Sequence, residues 1–262
     1  MVLARGQVTA CPPANWPSRR RIEVQEAKVL FRVIDIETTG MSPPAEIIEI
    51  GRVDVVRRGD AIEIERPMAR LYRPLRGIPP ENMAIHHITP SDFDEHTPVC
   101  TTERLQMAVW GGTPPDVLVA HNCEFERRFI SDIVTKGLPW ICTFKVALRV
   151  WPDASRHTNQ VLRYWRSLAL DPAVAMPPHR AGPDAWVTAH LLAELLKTTS
   201  ATEMIAWTAQ PAVYPMMPIG RYRGKAWREV PTEYLAWLIE RSEVSSGIKF
   251  CARSEIARRQ KS

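Results

Sequence analysis

Asp35 and Glu37 stand two residues apart at the end of an apolar run that begins at Val29 and turns at Thr38-Thr39-Gly40. The β-branched and apolar character of Val29 to Ile36 predicts a buried central strand. Residues two apart on a strand share a face and are separated by roughly 6.5–7 Å along the chain. Both carboxylates therefore point the same way, out of the bottom of a cleft. Like charges held close on a low-dielectric sheet raise each other's pKa, and the arrangement is costly unless a cation sits between them. The pair argues for a metal site at the end of a central strand; the competing reading is a strand whose solvent face carries two acids.

After the turn, Met41-Ser42-Pro43-Pro44 reads as a loop. Residues 46–57 predict a long strand and residues 61–73 another, joined through Arg58-Gly59-Asp60, which gives a meander of three antiparallel strands. Short helical pieces are expected over 79–87 and 91–95, and a helix over 98–110 that stops at Gly111-Gly112. Val117 to Ala120 is a short apolar strand running into His121-Asn122-Cys123-Glu124-Phe125-Glu126, where Phe125, Phe129, Ile130 and Ile133 fall at helical spacing. Glu126 lies in the first turn of that helix, at the kind of strand-to-helix edge where α/β sheets bind ligands. A strand at 140–142, a helix to 150 and another over 159–168 follow. The next helix is expected from about 184 to 197, with Asp184 in its first turn near the positive end of the dipole and His179 on the loop before it. Taken alone, that histidine and aspartate equally suit a surface residue and a helix cap.

Asp35, Glu37, Glu126 and Asp184 form a set of acids, with His179 five residues before the last. Carboxylate-only ligation suits Mg²⁺ or Mn²⁺ rather than zinc. Four acids can hold two such ions about 3.5–4 Å apart, an arrangement that supports in-line displacement at phosphorus. A loop histidine titrating near neutrality suits the general base for an attacking water.

These stretches resemble the three motifs of the DEDD exonuclease superfamily, in the DEDDh subtype whose third motif is His-x-x-x-x-Asp. Asp35-Ile-Glu37-Thr-Thr-Gly matches the first, His121 to Phe129 the second and His179 to Asp184 the third. Ala84 to Thr89, Trp140 to Lys145, Leu148 to Pro152 and Gly220 to Lys225 are similar to bacterial members, and the resemblance covers about residues 28–240. It implies an α/β, ribonuclease H-like fold: a mixed five-stranded sheet flanked by helices, with a small C-terminal module. It further implies metal-dependent 3′→5′ hydrolysis of DNA to nucleoside 5′-monophosphates, with Asp35, Glu37 and Asp184 as metal ligands and His179 as general base. Glu126 stands where the second motif has Asp, one methylene further out. By the same resemblance Thr38, Thr39 and Met41 would line the pocket for the terminal nucleotide, though they also serve as plain turn residues. His86 sits where the family has a histidine before Ile-Thr and reads first as structural, and Asn122 orders the turn into the second-motif helix.

The expected organisation is a basic extension over 1–27, an exonuclease domain over 28–199, a linker over 200–214 and a basic, aromatic module over 215–253. In that module Arg221, Tyr222, Arg223, Lys225 and Trp227 mix cations with aromatics, as single-strand binders do, or else form a solvated face. A net charge of +5 around an acidic site suits a polyanionic partner; the resemblance implies that this is single-stranded DNA or DNA 3′ ends. The five cysteines include no Cys-x-x-Cys, which excludes a sequence-local zinc knuckle and argues against a disulfide framework. No apolar run approaches the roughly 18 residues of a membrane span, so a cytoplasmic protein is expected. The motifs leave an RNA 3′-exonuclease open, since only contacts to the 2′-OH discriminate the sugar. Glu126 leaves open a nucleic-acid-binding accessory protein with an impaired nuclease site.

Overall fold

The computed structural model describes residues 28–261, so the basic extension expected over 1–27 lies outside the described residues. Strands β1 (Val29–Thr38), β2 (Ile47–Arg58), β3 (Ala61–Ile64), β4 (Met68–Leu71), β5 (Val117–Ala120) and β6 (Trp140–Cys142) form one mixed sheet in the order β3-β2-β1-β5-β6, with β4 also on β2. The sheet therefore has six strands rather than the expected five. The continuous strand expected over 61–73 divides at Glu65-Arg66-Pro67, and both halves pair with the same edge of β2, β3 against Val55 to Arg58 and β4 against Glu49 to Arg52. Pro67 has no N–H to give the ladder, which is why the strand breaks there. The predicted antiparallel meander is present, and β1 occupies the centre between antiparallel β2 and parallel β5.

The two faces of β1 alternate as the two-residue period requires. Phe31 and Val33 enter one core with Val53, Val55, Val119 and Ile141; Ile34 and Ile36 enter the other with Ile50, Leu118 and Cys142. Helices α1 (Pro80–His86), α2 (Thr102–Trp110), α3 (Glu126–Phe129) and α4 (Asp132–Thr135) precede β6. The helix expected to run through Phe129 to Ile133 breaks at Ile130, which is extended, and Ile133 is exposed. After β6 come α5 (Thr143–Val150), α6 (Asn159–Trp165), α7 (Pro172–Ala175) and the long α8 (Ala181–Leu196), which lies across β1 and β2 on the Phe31 face.

Residues 200–214, expected to be a linker with one helical stretch over 202–209, carry α9 (Ala201–Thr208), opened by a capping box between Ser200 and Glu203. Met204 of α9 is fully buried in the main core. Cys142 N–H donates to Thr208 Oγ1 at 2.8 Å, and Lys145 Nζ donates to the carbonyls of Thr208 and Gln210 at 3.0 and 2.8 Å. The apolar face of α9 thus belongs to the main core. A smaller core follows, built from Met217, Val230, Leu235, Leu238, Val244, Ile248 and Ala252. Its helices are α10 (Thr232–Glu240) and α11 (Ser246–Gln260), the second running past the expected end at 253. Glu255 in α11 takes ion pairs from Arg258 and Arg259, which supports that last turn. No helix among the described residues is long and apolar enough to cross a membrane.

Candidate active site

Asp35 and Glu37 continue the Phe31, Val33 row onto the face that α8 covers. Strand β5 pairs with β1 only from Phe31 to Val33, so the sheet steps back beyond that point and leaves the acids over a cleft. Glycine is required across the ladder. Gly51 pairs with Asp35, and a Cβ there would lie 1.9 Å from the carbonyl oxygen of Ala181, the first residue of α8. Without that side chain the helix starts directly against the strand, and Asp184 in its first turn drops towards the β1 acids. Ligand oxygens of Asp35, Glu37 and Asp184 all lie within 4.8 Å of one another.

Burial pushes the Asp35 carboxyl well above its usual range, and the charges of Asp184, Glu37, Glu126 and Glu49 push it further. Glu37 rises to about 8, again through burial first and then Asp184 and Glu49, with Arg180 opposing. Burial also raises Asp184, against the hydrogen bond from His179. Glu126 stands apart from the cluster of three but within its field. It is 3% exposed, burial raises its pKa well above normal, and its Oε2 has no hydrogen-bond partner. Clustered oxygen donors with raised pKa values and an orphaned buried carboxylate oxygen fit a hard divalent cation.

The backbone holds the third motif in position. His179 takes a positive φ of 59°, unusual for a side chain of its size, and its N–H donates to Asp184 Oδ2 at 2.7 Å. Its side chain is exposed and lines the cleft beside Asp35 and Asp184. From α6, Gln160 Nε2 donates to Asp184 Oδ1 at 3.3 Å and Asn159 Nδ2 to the Asp184 carbonyl at 3.0 Å.

Glu49 is a residue that the sequence reading missed. It is 2% exposed, faces Glu37 across the ladder, and accepts from Arg180 Nη2 at 2.7 Å, Arg180 Nε at 3.0 Å and Ala181 N–H at 2.9 Å. This clamp fixes the start of α8 to β2. Its signal in the sequence was a glutamate set between Ile48 and Ile50 in the apolar first part of the strand, two residues before Gly51.

The remaining expected residues divide. Thr38 and Thr39 are buried, with Thr38 Oγ1 donating to the Gly40 carbonyl and Thr39 Oγ1 accepting from Glu46 N–H, so their hydroxyls close the turn after β1. Met41 is 69% exposed, and its carbonyl receives Arg128 Nη1 at 3.0 Å, tying the first-motif loop to the second. Asn122 lines the cleft with φ 78°, and its carbonyl accepts from Phe125 N–H to make the turn into α3. His86 is buried behind the site in the field of Glu49, Arg180 and His179, its Nδ1 accepting from Ile88 N–H and its Nε2 unpartnered. In the C-terminal module, Arg221 stacks on Tyr222 and Tyr234, and Trp227 packs against the small core with its indole N–H on the Tyr214 carbonyl. Lys225 and Arg223 are exposed.

The cleft has a volume of about 510 Å³ and is bounded by Asp35, Asp184, His179, His121 and Lys145, with Tyr214 and Ser245 to Gly247 on the far side. His121 bonds Thr143 Oγ1 and the His157 carbonyl, and burial lowers it to about 4, so it stays neutral at physiological pH.

The family model described as Exonuclease matches residues 33–192, which include all three motifs. Exodeoxyribonuclease 10 of Escherichia coli (strain K12) is 34% identical over 214 residues, covering 80% of this chain and 90% of that protein. DNA polymerase III PolC-type of Bacillus subtilis (strain 168) is 28% identical over 193 residues, 71% of this chain and 12% of that protein. Among solved structures, exonuclease X in complex with 5′ overhanging duplex DNA superposes with a TM-score of 0.55 at 34% identity, covering 68% of this chain and 99% of that one.

Proposed function

From the premise that this chain belongs to the exonuclease family, in its DEDDh branch, we propose that it is a metal-dependent 3′→5′ exonuclease releasing nucleoside 5′-monophosphates from DNA ends. The observation that carries this reading is the convergence of Asp35, Glu37 and Asp184 within 4.8 Å, with an exposed His179 lining the same cleft as Asp35 and Asp184. Support for DNA as the substrate comes from the similarity to an exodeoxyribonuclease and to an exonuclease bound to DNA.

Asp35, Glu37 and Asp184 would hold Mg²⁺ or Mn²⁺, with Glu126 as the further carboxylate for a second ion. Bound there, the ions supply charge neutralisation at the scissile phosphate and acidify water. His179 accepts the proton of the attacking water, and the left-handed backbone that Asp184 holds keeps its ring at the cleft. Glu49 and Arg180 position that loop without touching substrate. Neutral His121 and Asn122 shape the opposite wall.

Hydrolysis of 5′-labelled DNA and RNA oligonucleotides of matched sequence, in Mg²⁺, Mn²⁺ and EDTA, tests the reading. The expected result is stepwise loss of 5′-monophosphates from DNA, abolished by EDTA and by Asp35→Ala. Preference for RNA would reassign the substrate. A second reading, a nucleic-acid-binding accessory protein with an impaired site, draws on Glu126 lying outside the cluster of three; DNA binding without hydrolysis in either metal would favour it.

A further inference from the structure

The catalytic cleft continues into a second groove of about 720 Å³, and the two share Phe144, His157, Thr158 and Tyr214 on their walls. The rings of His121, Phe144 and Tyr214 follow one another edge to face, with centroids 5.9 and 6.1 Å apart. This row begins in the second motif and ends in the groove. Tyr214 is held from behind: its N–H donates to Cys251 Sγ and its hydroxyl bonds Ser245, so α11 fixes the ring in place.

The groove's outer wall comes from the C-terminal module through Met216, Met217, Pro218 and Arg223, and its rim carries Arg156 from the segment between α5 and α6. Arg156 and Arg223 are exposed, and among the described residues neither side chain makes a hydrogen bond or ion pair. The basic groups nearer the acids are already engaged, Lys145 with Glu124 and Arg128 with the Met41 carbonyl. Asp153 is the acid on the groove wall.

We propose that this groove holds the single strand of DNA leading 5′-ward from the terminal nucleotide, and that the C-terminal module closes it as a second wall. The proposal rests on the exonuclease reading for the identity of the strand. Phe144 and Tyr214 stack unpaired bases, and Arg156 and Arg223 hold phosphates on either side. Continuity with the catalytic cleft selects nucleic acid, and two free guanidinium groups complement a polyanion. An aromatic row selects a single strand, because bases already paired and stacked in a duplex present no face to Tyr214. Of the five residues expected to grip nucleic acid, Arg223 lines this groove, together with Phe144, Tyr214 and Arg156.

Equilibrium binding of the full chain to labelled oligodeoxynucleotides about 2 to 12 nucleotides long, in EDTA so that nothing is hydrolysed, tests the groove. Wild-type affinity is expected to rise at least tenfold across that range. The double substitution Arg156→Ala, Arg223→Ala should flatten the rise and reduce the slope of log K against log salt by roughly 1.4, the loss of two single-strand phosphate contacts. Tyr214→Leu should weaken the longer strands about tenfold with the shortest affected least. Unchanged length dependence in the double variant, which alters only exposed groups and leaves the fold intact, overturns the proposal. Length-dependent binding that these substitutions abolish, in a protein that hydrolyses nothing in Mn²⁺, supports the groove and overturns the exonuclease reading. Hydrolysis with no length dependence of affinity does the reverse.

Discussion

The main-chain nitrogen of His179 donates to Oδ2 of Asp184 at 2.7 Å, so the histidine and the last carboxylate of the site share one loop geometry. Asp184 is thereby both a ligand candidate and the acceptor that holds His179 at φ 59°. Asp184→Asn keeps an acceptor oxygen and removes the charge; Asp184→Ala removes both. Hydrolysis should fall at least a hundredfold in each. Only the alanine variant should free the loop, seen as faster amide exchange at His179 and Arg180. In chelator the asparagine variant should melt no lower than wild type, because it relieves repulsion. A midpoint many degrees lower would make Asp184 a structural residue.

Gly51→Ala places a Cβ where Ala181 carbonyl oxygen stands 1.9 Å away, and backbone cannot yield as a flexible side chain would. The start of α8 must move off β2 and carry Asp184 with it. Overpacking of this kind costs about 1–3 kcal/mol. A displacement of about 1 Å at the reacting groups costs on the order of a hundredfold in rate. Urea unfolding and single-turnover hydrolysis measure the two effects; an active, fully stable variant would show that the close approach is not needed.

Without metal, the raised carboxyls make stability fall as pH rises. Glu37 titrates near 4.5 when unfolded and at about 8 when folded. Its protonated form is therefore favoured by folding, a contribution fully present below pH 4.5 and lost as pH passes 8. Asp35 shifts in the same direction. The melting midpoint in EDTA should decline across that window. Saturating Mn²⁺ should remove the decline, since ions displace those protons on binding. A flat profile in EDTA would mean the carboxyls are already neutralised.

Glu126 is buried with one oxygen unpartnered and lies within the field of the β1 acids. Glu126→Asp should lower the rate rather than raise it, because the carboxylate retreats by one methylene from a site whose helix has not moved. Glu126→Gln should melt higher than wild type in chelator and hydrolyse more slowly in Mn²⁺. Rates equal to wild type for Glu126→Ala would remove it from the machinery and favour the binding-protein reading.

The sequence by itself determined the central strand and the placing of Asp35 and Glu37 on one of its faces. An apolar run and a two-residue spacing are local properties, and β1 carries them in plain view through Asp35 and Glu37, whereas His179 and Asp184 stood out only together with the other motifs. Local chemistry also accounts for the antiparallel meander and for α10. The split of the strand at Pro67 was legible in principle, since the missing N–H is a property of one residue. Tertiary structure alone decided the rest. Glu49 and Arg180 are separated by 131 residues, and no spacing rule pairs them until α8 lies on β2. Gly51 reads as a weak point in a strand until Ala181 arrives against it. Residues 200–214 read as a connector with one short helix because Thr and Ala dominate them, yet Met204 fills a space that the sheet and α8 create, and Thr208 meets β6 across 66 residues. The row from His121 through Phe144 to Tyr214 joins three separate segments. Side-chain burial and charge pairing between distant segments depend on how the layers stack, and that information exists only once the chain has folded.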